Sequence, residues 1–175
     1  MTPFSCKLRF LKTVLFLNFT DFEEIDRTAK FQMELYCLWH EQFLHFQGPH
    51  TTMEGYHVRT LAKYIEDRIP PFTIWSKDKD DYEFTMWGDF MFYIQPTYKL
   101  LKNLVEEETE ETLKSITLWV SDGDLHPNTI SMGISDSVSV SALRQFASVL
   151  HSIALWLEGK LDEATMFESP LIEPM

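Results

Sequence analysis

The sequence predicts an α+β fold: a single domain over residues 1–158 and an acidic, partly apolar tail over 159–175. The domain is expected to hold a mixed or antiparallel sheet of about five strands against three to four helices. Three observations lead there. Several short segments alternate apolar and polar residues with the period of two that a half-buried strand requires. One long segment near the carboxyl end switches to the spacing of three and four that marks an amphipathic helix. The composition, 45% hydrophobic and 14% aromatic in 175 residues, is that of a chain with a sizeable core, and a domain of this size buries roughly 70% of its unfolded surface.

Taken in order, residues 7–19 are dense in Leu, Phe and Val and predict a strand covered on both faces. Thr20 and Glu23 stand at capping-box spacing. Phe22, Ile25, Ala29, Met33, Tyr36, His40 and Phe43 then keep helical spacing, predicting a first helix to Phe46 that Gly48-Pro49 stops. A second helix is predicted over 52–68, carried by Tyr56, Leu61, Tyr64 and Ile65 and closed by Ile69-Pro70-Pro71. Residues 72–75 suggest a short strand and 77–81 a charged loop. Tyr82, Phe84 and Met86, then Phe90, Phe92 and Ile94, alternate around Gly88-Asp89 and predict a hairpin.

Pro96 suits the first turn of a third helix through Tyr98, Leu101, Leu104 and Val105. Its end runs into Glu106-Glu107-Glu108-Thr109-Glu110-Glu111, where carboxylates oppose the helix dipole. Ile116, Leu118 and Val120 predict a strand, Asp122 to Asn128 a loop, and Ile130, Met132 and Ile134 the returning strand. From Ser139, the stripe Val140, Leu143, Ala147, Leu150, Ala154 and Leu157 predicts a helix of about five turns, packed on the preceding hairpin. The expected order is β-α-α-β-β-α-β-β-α.

Charge narrows the partners. The 27 acidic and 15 basic residues give −12. Residues 1–19 hold Lys7, Arg9 and Lys12 and no acid, so the remainder carries −15. Such a chain repels nucleic acid and anionic membranes and attracts basic proteins. Cys6 and Cys37 make neither a disulfide framework nor a zinc site, and a reducing cytoplasm is the expected compartment. Lys12 interrupts the apolar run near the amino end, no small-residue cleavage site follows it, and no segment has the apolar length of a membrane span.

Four groups of residues could carry chemistry. His40, His45, His50 and His57 cluster in sequence, but on the predicted helix His40 and His45 lie about 140° apart, against the shared face that a zincin pair needs. Asp122, Asp124 and His126 could hold a cation or act as acid and base, although Asp-Gly is also ordinary turn chemistry. Ser131, Ser135, Ser137, Ser139 and Ser141 lack a nucleophile elbow, and one of them, or Asp136, is expected to cap the last helix. Gly-rich phosphate loops are absent from the sequence.

The fourth group is a surface: Trp75, Asp78, Asp80, Asp81, Glu83 and Trp87, with Glu106, Glu107, Glu108, Glu110 and Glu111. Carboxylates interleaved with aromatic rings suit docking to a basic protein. In character alone, the chain is similar to toxin-neutralising immunity proteins and phage-encoded inhibitors of nucleases. The expectation is therefore an acidic, non-enzymatic interaction module that needs no cofactor or metal and blocks a basic partner, such as a nuclease or another nucleic-acid-binding protein. The alternatives are a small enzyme using the Asp122, Asp124 and His126 loop, with or without a metal, and a structural subunit of an assembly.

Overall fold

The apolar run near the amino end folds back on itself. In a computed structural model, which describes residues 2–48, 50–67, 85–87, 90–96, 112–121 and 132–175, strands β1 (Phe4–Arg9) and β2 (Thr13–Glu23) form an antiparallel hairpin. The chain turns at Phe10-Leu11-Lys12, where the Phe10 N–H donates to the Thr13 carbonyl at 2.8 Å. This corrects the single strand expected over 7–19. The turn contains no Gly, Pro, Asn or Asp, so nothing in its composition interrupts the apolar run.

The larger correction concerns residues 20–46, expected as a helix. They form the end of β2, then β3 (Thr28–Trp39) and most of β4 (Gln42–Gln47). Ala29, Phe31, Met33, Leu35 and Cys37 are buried, while Lys30, Gln32, Glu34, Tyr36 and Leu38 between them are not, which is the strand period. In so apolar a segment the same residues also satisfy helical spacing. Pairing with β2 resolves the ambiguity, because it buries one complete face and satisfies the backbone groups at once. Ile25, assigned to the helix's apolar stripe, lies in the β2–β3 turn and is 91% exposed. The β3–β4 turn is made by His40 and Glu41, with φ of 45° and 65°, the two-residue hairpin geometry usually signalled by Asn-Gly.

Beyond Gly48, β5 (Thr51–Glu54) pairs with the first half of β3, one residue out of step with β4. Such a shift is the mark of a bulge. Near the carboxyl end, β10 (Ile172–Pro174) pairs with β1. The first sheet therefore has six strands in the order β10-β1-β2-β3-β4, with β5 also on β3, and every pairing is antiparallel.

A second antiparallel sheet holds β6 (Thr85–Trp87), β7 (Phe90–Pro96), β8 (Thr112–Ser121) and β9 (Met132–Ser139), in that order. The expected pairing on either side of Gly88-Asp89 is present, with Trp87 opposite Phe90. Pro96, expected to open a helix, instead closes β7 opposite Ile116. The expected strand at 72–75, the helix through Tyr98 to Val105 and the loop at 122–128 lie outside the described residues.

Three helices occur among the described residues: α1 (Gly55–Glu66), α2 (Val140–Leu157) and the short α3 (Glu163–Met166). The second predicted helix corresponds to α1. The last corresponds to α2, with the Ser139 hydroxyl capping it through a 3.0 Å bond from the Ala142 N–H. The fold is thus α+β with an antiparallel sheet at its centre, but with more strands and a different element order than expected. Strands β1 to β4 and β6 to β9 are each paired in chain order, and β5 runs directly into α1 and β9 into α2.

The α2 stripe was expected on the hairpin before it. Besides β9, it packs against α1 and β1. Leu143, Phe146, Ala147, Leu150, Ile153, Ala154 and Leu157 join Phe4, Cys6, Leu8, Leu15, Leu17, Phe31, Met33 and Leu35 in one core. Each such large side chain contributes about 1.5–3 kcal/mol by leaving water. The start of α1 meets the end of α2 at Gly55, where a Cβ would lie 2.7 Å from the Ala154 carbonyl. Glu66 reaches His151 at 3.1 Å, so the two helices run antiparallel. Among the described residues, no helix is long and apolar enough to cross a membrane.

Candidate functional site

Alternation along β1 to β4 sends one set of side chains to the helices and the other to the opposite face. On that second face the register aligns Lys7, Phe16, Glu34 and Gln47 in one row and Arg9, Val14, Tyr36 and His45 in the next. Leu38 and Phe43 pair beyond them.

Glu34 is the hub of this face. Its Oε1 accepts from Asn18 Nδ2 at 2.7 Å and from Gln47 Nε2 at 3.4 Å, and its Oε2 accepts from the Tyr36 hydroxyl at 2.9 Å. His45 Nε2 lies 3.0 Å from the same Oε2. The network continues in both directions. The buried Ser5 hydroxyl donates to Asn18 Oδ1 at 2.7 Å, while Gln47 also donates to Gln32, which donates to the Gly48 carbonyl.

Aromatic contacts reinforce the network. The Tyr36 and His45 rings stack at 4.3 Å and 8°, and Phe16 meets Tyr36 edge-on at 5.6 Å. The Glu34 carboxylate raises the Tyr36 pKa above its ordinary value, because it holds the phenol proton and opposes a neighbouring negative charge. Glu34, Tyr36 and His45 are an acid, a phenol and an imidazole in mutual contact. They lie on the sheet face away from the helices, with the Ser5 hydroxyl engaged by Asn18, three strands from His45. The arrangement presents a surface of stacked rings and satisfied polar groups. Phe43 and Leu38 extend it with apolar area, at 83% and 42% exposure.

A second feature lies where the β2–β3 turn meets the end of α2. Phe22, Glu24, Arg27, Trp156, Leu161 and Glu163 line an open cleft of about 430 Å³. Arg27 is committed to structure there. Its Nη2 donates to the Trp156 carbonyl at 2.9 Å and its Nε to the Leu157 carbonyl, capping α2 with a cation. Trp156 in turn packs on Phe4 and Phe22, at 5.4 and 5.0 Å.

Of the residues expected to bind a partner, Trp87 lies on β6, at one end of the second sheet's strand order. Trp75, Asp78, Asp80, Asp81, Glu83, Glu106, Glu107, Glu108, Glu110 and Glu111 lie outside the described residues, as do Asp122, Asp124 and His126. The histidines do not share a helix face. His40 is in a turn, His45 is on β4, and His57 Nδ1 accepts the Glu54 N–H at 3.1 Å as part of the α1 cap. Among the described residues, no three His, Cys, Asp or Glu side chains are grouped to hold a metal ion. The Glu34 network escaped the sequence reading because a helix would scatter its members. The signal was the alternation of Phe31, Met33, Leu35 and Cys37, which places Glu34 and Tyr36 together on the other face. Compared with known proteins, the chain matches no family model, and no curated protein is significantly similar to it.

Proposed function

We propose that the protein is a cytoplasmic, non-enzymatic interaction module that binds and blocks a basic partner protein, such as a nuclease or another nucleic-acid-binding protein. The observation that carries this reading is the charge of −12 on an aromatic-rich chain, with carboxylates concentrated beside Trp75 and Trp87 and again at Glu106, Glu107, Glu108, Glu110 and Glu111. An acidic patch of this kind raises the rate of encounter with a basic surface, and aromatic anchors then hold the complex. Two features of the fold support it. Antiparallel sheets give a rigid platform, and Trp87 stands on a terminal strand of one of them.

The test is co-purification from the native host, followed by association kinetics with the recovered partner at increasing salt. Association should slow steeply as salt screens the charges. Reversing the five glutamates 106, 107, 108, 110 and 111 to Lys should slow it further, while Trp87→Ala should mainly speed dissociation. Unchanged binding in the charge-reversed protein, or recovery of acidic partners alone, would overturn the reading.

A further inference from the structure

The β4 edge shows where a second copy of this chain fits. The Gly48 N–H donates to the Met33 carbonyl at 2.8 Å, which fixes the phase of the β3–β4 ladder. Antiparallel pairs alternate between hydrogen-bonded and non-hydrogen-bonded. Leu44 and Cys37 are therefore a bonded pair, whereas Phe43 and Leu38, like His45 and Tyr36, are not. Phe43 and His45 thus aim their backbone N–H and C=O away from β3. Among the described residues, no strand lies on that side of β4.

Edges of this kind are usually guarded by charge or proline. The strand Gln42-Phe43-Leu44-His45-Phe46-Gln47 has neither a carboxylate, an ammonium nor a proline, and Phe43 and Leu44 are 83% and 42% exposed.

We propose that the protein forms a twofold dimer by joining β4 to β4 of a second copy, antiparallel and centred on Leu44. In this register Phe43 of each copy lies opposite His45 of the other and exchanges both backbone hydrogen bonds with it. Leu44 meets Leu44 on the helix-facing side. Each exposed Phe43 ring then falls beside the Tyr36–His45 stack of the other copy, so every donor surface is also an acceptor surface, as an isologous contact requires. Charge selects this place. Two chains at −12 repel each other, and the strand that meets its twin carries no carboxylate. The nearest one, Glu41, falls opposite Gln47. The result is a continuous sheet of twelve strands, twice the six of one copy. The inference is independent of the proposed partner and of the acidic segments.

Sedimentation equilibrium of the full chain over a concentration series, with residue-resolved amide exchange, tests it. The expected result is a reversible monomer–dimer equilibrium. The Phe43 and His45 amides should become protected as concentration rises, while the inward-pointing Leu44 and Phe46 amides are protected throughout. Phe43→Lys and Leu44→Lys, each occurring twice in the dimer, should weaken it by about tenfold or more. A chain that stays monomeric overturns the proposal, as does a dimer indifferent to both substitutions. Edge amides whose exchange ignores concentration do the same, and this last readout on the unsubstituted protein holds even if a variant fails to fold. A monomer whose β4 edge pairs with a strand of another protein also overturns it.

Discussion

Arg27→Ala should destabilise the protein far more than its turn position suggests. The guanidinium, in a β-hairpin turn, donates to the Trp156 and Leu157 carbonyls and lies 5.8 Å from the Phe22 ring centre. Those carbonyls belong to the last turn of α2, beyond the regular helical ladder, and that of Trp156 also accepts from the Gly159 N–H at 2.9 Å. A hydrogen bond from a charged donor contributes about 1.5–3 kcal/mol. Arg27 borders an open cleft, so water can replace part of each bond, and about 1 kcal/mol apiece is the better figure. A cation at a helix carboxyl end adds about 0.5 kcal/mol. The expected loss is about 2–2.5 kcal/mol, or a fall in Tm of about 4–10 °C for a domain of this length.

The backbone gives a control. Arg27 has φ of 52°, a conformation that costs a side-chain-bearing residue about 1–2 kcal/mol and glycine almost nothing. Arg27→Gly should therefore be about 1 kcal/mol less damaging than Arg27→Ala, and Arg27→Lys should fall between wild type and Ala. Urea unfolding followed by tryptophan fluorescence reads all three, since Trp156 is in the affected cluster. If Arg27→Ala shifts the urea midpoint no more than an ordinary surface substitution does, the cap contributes nothing and the reasoning fails.

Three further expectations follow from the packing and the open sheet face. Gly55→Ala places a methyl 2.7 Å from the Ala154 carbonyl, so the helices must separate there, and a loss of about 1–3 kcal/mol should appear in the same urea assay. Glu34→Gln should return the Tyr36 pKa toward its ordinary value of 10, as read by ultraviolet titration. Because the folded pKa is raised, the stability that Tyr36 contributes is fully present below pH 10 and is lost as pH rises through the folded value. The variant should lose less in that alkaline window. Cys6 is fully buried and burial holds its thiol well above the usual range, so a thiol reagent should modify it only at the rate of unfolding, measured by mass spectrometry.

The parts of the fold legible in the sequence are those whose spacing admits one reading. From Ser139 to Leu157 the apolar residues fit a helix and not a strand, and a serine stands where the cap belongs; α2 follows. The alternation at 116–121 and 90–94 identified β8 and β7 for the same reason. Residues 20–47 hold so many apolar side chains that periods of two and of three to four are both satisfied. Local spacing cannot choose between them. The turn at His40-Glu41 adopts left-handed backbone without glycine or asparagine, so it gave no warning either.

By itself, then, the sequence determined the α+β class, the long helix from Val140 with its serine cap, and a net charge of −12. Those properties depend on residues close in the chain or on simple totals. Tertiary structure alone decided that residues 28–47 are strands, because β2 must lie alongside before one face can be buried. It alone set Tyr36 on His45 and brought Glu34 to both. It also carried Arg27 to the end of a helix some 130 positions away. Each of these depends on strand register or on the closing of a long loop, and no local pattern encodes the contact that results.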